Sequence, residues 1–259
     1  MLSIVRLKRE WANNLNCILL PQNSKTISDE QQLTHIKEVL KSKVGDSLTI
    51  GEMGGNLGKA TIAEINENEV LLADVTLDKK PPAKLDLTVV LALPRPKVLR
   101  RLIMDMTSLG VNKLIIVNSY RTQKSYWQSP LLECIDEFVF EGLQQAIDTV
   151  PLEVEFKKRF KPFVEDDFPD LLADKEQSDA VIAHPYTTQS WKNYLDGLKC
   201  KNSDKKIMPK ILCVGAEGGW IDYEVELLCK HGCTAVSLGE RILRTETVVS
   251  VLLGQWLEI

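Results

Sequence analysis

The sequence predicts an α/β fold in two regions, a small β-barrel over residues 1–80 and a domain with a parallel sheet over residues 84–259. Three observations lead to this prediction. The first 80 residues show short strand patterns joined by turn residues, the residues after 84 alternate buried-strand runs with helical patterns, and Pro81 and Pro82 separate the two regions. Strands that alternate with helices are typical of a parallel sheet covered on both faces.

Composition excludes several classes of protein. The 259 residues are 44% hydrophobic and 26% charged, with a formal net charge of -4, which excludes disordered, collagen-like and coiled-coil proteins. No apolar run approaches the roughly 20 residues of a membrane helix. The first residues have no apolar stretch before charges resume, so we expect no secretory signal and a cytoplasmic protein. Cys229 and Cys233 have only His231 nearby, so we expect no metal site.

The first region is expected to carry one helix and three strands. The helix covers Ser28–Lys41, because apolar residues recur there at helical spacing and Ser28 or Asp29 can cap it. Strands are predicted at Ser47–Ile50, Ala60–Ile65 and Val70–Asp74, with a hairpin turn in Gly51–Lys59. The turn does not have the spacing of a phosphate-binding loop.

Asp78–Lys84 is the expected linker, because its two prolines break both helix and central strand. After it, continuous apolar runs predict strands buried on both faces. The predicted strands are Leu85–Leu93, Lys113–Val117, Glu153–Phe156, Asp179–Ala183, Ile211–Val214 and Thr234–Leu238. The predicted helices are Lys97–Leu109, Pro130–Val150, Val164–Asp174, Asp222–His231 and Thr245–Glu258.

Two segments that follow buried strands carry the functional signal. Val214–Trp220 (VGAEGGW) has three glycines in five residues, which lets the backbone approach a ligand closely. It is not a dinucleotide fingerprint, because Glu217 stands where the second glycine should be, and a tight strand-to-helix turn is the alternative. Leu238–Thr247 (LGERILRTET) could by itself be a capped helix start with Thr245 as the cap.

Together these segments resemble the paired motifs of the ribosomal small-subunit methyltransferase E family, which methylates N3 of a uridine in 16S rRNA. The matching residues are Gly215–Gly219 and, about twenty residues later, Leu238–Thr247. The resemblance extends to Ala183-His184-Pro185, to Ser108–Val111 and, in the first region, to His35-Ile36 with Val39-Leu40, so it covers nearly the whole chain.

The resemblance implies a PUA-like barrel followed by a SPOUT-type domain with a C-terminal trefoil knot. It also implies the cofactor S-adenosylmethionine, a homodimer, and an RNA partner, namely 16S rRNA in small-subunit particles. The last predicted helix agrees with a dimer, because its apolar residues cover most of its circumference. The cofactor-binding residues implied are His184, Gly215, Glu217, Gly218, Gly219, Leu238, Gly239, Ile242, Leu243 and Thr245.

Arginines are the candidate catalytic residues. Uridine N3 becomes nucleophilic only when its proton leaves, and a guanidinium can stabilise the anion that develops on the base. Arg244 is the first candidate and Arg121 the second. Arg244 could instead pair with Glu246 or with the other protomer, and Arg241 could equally pair with a nearby acid. His184 is expected to line the pocket rather than transfer a proton.

A basic segment is the candidate RNA-binding surface. Residues 84–127 hold eight Lys and Arg against two Asp and Glu in an otherwise acidic chain. Several of these cations follow the carboxyl ends of predicted strands, where open α/β sheets bind ligands. The alternative is that they only solvate one surface. The predicted RNA-binding residues are Arg95, Lys97, Arg100, Arg101 and Lys124.

Several positions depart from the family pattern. Ala216 replaces a proline of the glycine turn, and Asp105 and Ser108 replace a lysine and a glutamate. In the following long helix, Leu143 and Ile147 stand where a glutamate and an arginine are expected. These departures leave two alternatives open. The chain could be an RNA-binding paralogue that has lost catalysis, or a methyltransferase that acts on another RNA or on a protein.

Overall fold

A computed structural model describes residues 15–173, 180–199 and 208–257. These residues divide into two units. The first unit contains the chain up to Ala83 together with Glu137–Pro151, and the second contains Lys84–Asp136 and the chain from Leu152 onward. The segment Glu137–Pro151 therefore packs with the first unit, although the sequence assigns it to the region after the linker.

The first unit is built on a five-stranded mixed sheet in the order β1-β3-β4-β5-β2. β1 pairs with β3 in parallel and the other neighbours are antiparallel. Buried aliphatic side chains, among them Ile36, Ile50 and Ile62, form its core. The strands are β1 (Ile18–Leu20), β2 (Thr26–Ile27), β3 (Ser47–Glu52), β4 (Leu57–Ile65) and β5 (Val70–Lys79).

The three strands and the hairpin predicted in this unit are confirmed, with differences in length. β5 continues to Lys79, into the predicted linker. β1 and β2 were not predicted, because two or three residues are too few to show alternation. The predicted helix is present as α1 (Glu30–Thr34), capped by Asp29, and continues as a π-helical turn over His35–Val39.

The helix predicted over Pro130–Val150 is wrong at both ends. Pro130–Cys134 forms a 3-10 turn, and the α-helix, α3, covers Ile135–Ala146. It ends there because Ile147 has a left-handed backbone, with φ at 56°.

Buried polar contacts join the end of α3 to the first unit. The Gln144 side-chain oxygen accepts hydrogen bonds from Gln32 Nε2 at 2.7 Å and from the Leu19 backbone N–H at 3.4 Å. The Gln144 carbonyl oxygen accepts bonds from the backbone N–H groups of Asn16 and Cys17, both at 3.1 Å. Leu143, beside it, is fully buried. The departure from the family pattern at Leu143 therefore contributes to packing within this unit.

The second unit is built on a six-stranded sheet in the order β11-β9-β10-β6-β7-β8, in which every pairing is parallel. The predicted parallel α/β fold is confirmed. β6 is buried from Leu87 onward, as its continuous apolar run predicts. The strands are β6 (Leu85–Ala92), β7 (Val111–Val117), β8 (Glu153–Lys157), β9 (Ala180–Ala183), β10 (Ile211–Val214) and β11 (Cys233–Val236).

Helices connect these strands. The helical segment between β8 and β9 consists of three consecutive pieces, and the helix Trp191–Lys199 was not predicted. The last helix, Thr245–Leu253, ends before Gly254 and is shorter than predicted. The predicted helix and strand ends at Asp174, Asp179 and Glu258 lie outside the described residues. The helices are α2 (Pro96–Ser108), α4 (Phe160–Pro162, Phe163–Asp167 and Phe168–Ala173), α5 (Trp191–Lys199), α6 (Asp222–Lys230) and α7 (Thr245–Leu253).

Replacing Ile147 by asparagine is expected to stabilise the protein. A β-branched residue with a left-handed backbone is strained by about 1–3 kcal/mol, whereas asparagine tolerates this conformation just after a helix. Since Ile147 is already partly exposed, little packing is lost. We expect Ile147→Asn to raise the free energy of unfolding by about 1 kcal/mol in urea denaturation. Val44→Asn, at an exposed position without positive φ, is the control, and a stability loss at position 147 would contradict the assignment of strain.

Candidate functional site

The carboxyl ends of β9, β10 and β11 carry three loops that surround an open pocket in the second unit. The loops cover residues 184–190, 215–221 and 237–244. Arg121, in the loop after β7, lines a further part of the wall. The pocket encloses about 810 Å³ including its open mouth. This is the edge at which open parallel sheets bind ligands.

All ten residues predicted to bind a cofactor line this one pocket, although they come from three separate loops and the start of α7. That they bind a cofactor remains a prediction. The residues brought together are His184, Gly215, Glu217, Gly218, Gly219, Leu238, Gly239, Ile242, Leu243 and Thr245.

The glycine turn after β10 is tight. The Gly219 N–H donates to the Ala216 carbonyl oxygen at 2.8 Å, and Gly219 has a left-handed φ of 68°. A Cβ on Gly215 would lie only 3.0 Å from the Gly219 Cα, so this position favours glycine. Thr245 Oγ1 donates to the Gly215 carbonyl oxygen at 3.3 Å. This bond joins the two sequence motifs directly.

Short backbone bonds fix the other two loops to each other. The His184 N–H donates to the Val236 carbonyl oxygen at 2.9 Å, and the Ser237 N–H donates to the Gln189 carbonyl oxygen at 2.8 Å. Gly239 has φ at 112°, a conformation that side chains rarely adopt, and its N–H donates to Ser237 Oγ at 3.1 Å. The loops after β9 and β11 are therefore held at several points.

Arg121 contacts the glycine turn. Its Nη1 donates to the Gly218 carbonyl oxygen. A Cβ on Gly218 would lie 2.9 Å from the Arg121 Cβ, so the glycine also makes room for this side chain. The loop that carries Arg121 is fixed by the buried carboxylate of Glu224, which accepts from the Tyr120 N–H at 2.8 Å and from the Ile221 N–H at 3.0 Å.

Arg244, the first catalytic candidate, is exposed and is not among the residues that line the pocket. It lies near Glu246, which pairs with Arg101 at 2.8 Å. Burial raises the pKa of the Glu246 carboxyl, but a backbone hydrogen bond, the Arg101 hydrogen bond and the charges of Arg101 and Arg244 together lower it. Arg241, in contrast, lines the pocket.

The predicted RNA-binding residues differ from one another in exposure and in their hydrogen-bond and ion-pair partners. The Arg95 backbone N–H donates to Glu217 Oε1 at 3.0 Å, so the start of the basic segment touches the pocket wall. The side chains of Lys97 and Lys124 are exposed. Arg100 is half-buried, and Arg101 is engaged by Glu246.

His184 is suited to the pocket wall, as the sequence predicts. Burial lowers its pKa more than the nearby charge of Asp222 raises it, which keeps the imidazole neutral at neutral pH. Within residues 15–173, 180–199 and 208–257, no group of three or more His, Cys, Asp or Glu could hold a metal ion. In the same ranges no helix is both long and apolar enough to cross a membrane.

Sequence reasoning missed three residues at or near the pocket. Tyr186 and Trp220 line it, and Glu224 fixes the loop that carries Arg121. Trp220 closes the glycine-rich segment and Tyr186 follows the His184-Pro185 pair, so both lay beside recognised motifs. Glu224 gave no signal of its own, because a glutamate near the start of a helix is usually solvated.

Comparisons with known proteins agree with this arrangement. A family model described as an RNA methyltransferase domain matches residues 81–257, and one described as an RNA methyltransferase PUA domain matches residues 27–74. Ribosomal RNA small subunit methyltransferase E of Treponema pallidum is 28% identical over 220 residues, which are 84% of this chain and 79% of that protein. The protein of the same name from Rickettsia conorii is 27% identical over 91% of each chain.

A solved structure shares the fold. The crystal structure of ribosomal RNA small subunit methyltransferase E from Neisseria gonorrhoeae, bound to S-adenosyl methionine, matches with a TM-score of 0.66 and 19% identity. The match covers 93% of this chain and 96% of that one. The resemblance found in the sequence is confirmed, and the N-terminal region is PUA-like. The chain belongs to the RNA methyltransferase family, with a PUA domain followed by the methyltransferase domain.

Proposed function

We propose that the protein is an S-adenosylmethionine-dependent methyltransferase that methylates N3 of a uridine in 16S rRNA. The observation that carries this proposal is the convergence of the two glycine-containing motifs on one pocket, where Thr245 bonds to the Gly215 carbonyl oxygen. The relatives named for this activity support it. The proposed activity takes place in the cytoplasm, where ribosomal subunits are assembled.

The pocket fits S-adenosylmethionine. A Cβ on Gly219 or Gly239 would meet no atom within 4 Å, so open space lies against the backbone of both motifs. Glycine backbone and apolar side chains, among them Leu238 and Leu243, form much of the pocket wall and suit a ligand with an adenosine and a methionine part.

The bound cofactor supplies a methyl group that its sulfonium already activates. The protein therefore mainly has to orient the acceptor base and to stabilise the charge that the base acquires. Arg121 lines the pocket and Arg244 does not, so we place Arg121 first as the stabilising guanidinium, reversing the order predicted from sequence. The Glu224 carboxylate fixes the backbone next to Arg121 and so limits its movement.

We propose that residues 1–80 form an RNA-binding domain, to which the segment Glu137–Pro151 adds, and that the rest of residues 84–259 form the methyltransferase domain. RNA contacts at Arg95, Lys97 and Lys124 are part of this proposal, and the exposure of the three side chains and the bond from the Arg95 N–H to Glu217 support them. The homodimer is supported by the exposed Val251 on the apolar helix α7. The trefoil knot remains a prediction.

Filling the pocket at Gly219 is expected to prevent cofactor binding. Gly219→Leu places a side chain in the open space beside the turn, and we expect the S-adenosylmethionine affinity to fall at least tenfold in calorimetry. Gly54→Leu is the matched control, because Gly54 has φ at 71° and equally open surroundings but lies in the first unit. Both variants carry the same backbone strain of about 1–2 kcal/mol. Wild-type affinity in Gly219→Leu would contradict the placement of the cofactor.

Methyl transfer itself tests the proposed activity. Small ribosomal subunits from cells that lack the protein should accept labelled methyl groups when wild-type protein is added.

The stabilising arginine is tested by substitution. Removing one donor that stabilises a developing anion lowers kcat by a factor of about 10²–10³, and we expect this loss for Arg121→Gln with unchanged cofactor affinity. A larger loss in Arg244→Gln would make Arg244 the stabilising residue instead. Cofactor binding without transfer to any RNA would indicate a lapsed paralogue, and transfer to tRNA or protein would indicate another substrate.

Charge removal at Arg95 and Lys97 is expected to weaken RNA binding. Each phosphate contact contributes roughly 0.7–0.9 to the slope of log affinity against log salt, so the double Gln variant should show a flatter slope. The double Gln variant at Arg159 and Lys161 is the control, because it removes the same charges from exposed positions in the same unit. An unchanged slope in the first variant would place the RNA path elsewhere.

A further inference from the structure

Two of the most exposed large side chains lie at the pocket. Among the described residues, the large apolar or aromatic side chains more than two-thirds exposed are Tyr120 and Tyr186, both at 80%, and Ile242 at 68%. Two of these three, Tyr186 and Ile242, line the pocket. Single exposed apolar residues need no explanation, but two that line the same cavity indicate a ligand with an apolar face.

The Tyr186 ring is held in place although it is exposed. It packs edge-to-face against the His184 ring, with 5.6 Å between the ring centroids and 77° between the ring planes. The loop that carries both rings is fixed near its two ends, by the bond from the His184 N–H to Val236 and by the bond from the Ser237 N–H to Gln189. An aromatic ring held in this way loses little entropy when a ligand stacks on it.

The position of Tyr186 suits the acceptor better than the cofactor. The glycine turns supply the backbone walls of the pocket, whereas a ring with 80% of its surface in solvent stands at the mouth. A base that is methylated within a folded RNA must leave its stack and enter a pocket, and aromatic side chains commonly receive such bases.

We propose that Tyr186 is the stacking platform for the unstacked acceptor base at the mouth of the pocket, with Ile242 as a second apolar contact. This inference rests on the proposed function, since it assigns the RNA side of the same pocket. It makes Tyr186 a substrate-binding residue that contributes to the choice of an unpaired base, and it gives the residue no part in proton transfer.

Three substitutions separate a stacking role from other roles. Base stacking on an aromatic side chain contributes about 1–3 kcal/mol per base, which corresponds to roughly fivefold to 150-fold in affinity. With small ribosomal subunits from cells that lack the protein as substrate, we expect kcat/KM to fall about tenfold or more in Tyr186→Leu and Tyr186→Ala. Tyr186→Phe keeps the ring and should stay within about twofold of wild type. Calorimetry should show unchanged S-adenosylmethionine affinity in all three variants.

Tyr223→Leu is the matched control, because Tyr223 is half-exposed on α6 and is not among the pocket residues. Wild-type kcat/KM in Tyr186→Leu would overturn the inference, and so would a loss in Tyr186→Leu that is matched by an equal loss of cofactor affinity. If the proposed function itself were wrong, the wild-type protein would transfer no methyl group to the subunits, which distinguishes the two outcomes.

Discussion

The parallel pairing of β9 with both β10 and β11 is the constraint on which the pocket depends. Ala180 lies opposite Ile211 on one side and opposite Cys233 on the other, and these are the first residues of the three strands. Since each strand ends three residues later, the three strands also end at the same level. Their loops are far apart in sequence but leave the sheet side by side. Because β10 is fully buried, β9 nearly so and β11 at its two ends, the core sets this register, and the loops above it can carry glycines and exposed side chains without loss of the fold.

Within the pocket, backbone groups form much of the wall and few side chains are charged. Gly215 and Gly218 have neighbours so close that a Cβ would collide with them, whereas Gly219 and Gly239 have open space and backbone angles that suit glycine. The two pairs therefore have different roles. The first pair lets the turn close on itself and on Arg121, and the second leaves the open space that we assign to the cofactor.

The sequence predicted the parallel sheet well, because its strands are continuous apolar runs of strand length. It missed β1 and β2, which are too short for a pattern, and α5, whose apolar residues lie among polar ones. The ten predicted cofactor-binding residues came from the resemblance of the two motifs and of the Ala183-His184-Pro185 segment, and the structure brings all of them together. Tyr186 carries no such signal, since its significance comes from its exposure on the pocket wall.

Charged positions were the hardest to predict. Arg101 belongs to a basic segment, but the structure pairs it with Glu246 at the start of α7, so it helps hold α7 against α2. Asp105 lies near this pair. Burial raises the pKa of its carboxyl, the charge of Arg101 opposes this and that of Glu246 adds to it. The departure from the family pattern at Asp105 thus places an acid in a local cluster with Arg101 and Glu246. The sequence does not predict such a cluster, because it depends on tertiary contacts between separate segments.

Nucleoside analysis of 16S rRNA by mass spectrometry, in cells with and without the protein, tests the central claim most directly. The proposed function predicts that N3-methyluridine is present in 16S rRNA when the protein is made, is absent when its gene is removed, and returns when the wild-type gene is restored. An unchanged N3-methyluridine content in the absence of the protein would contradict it.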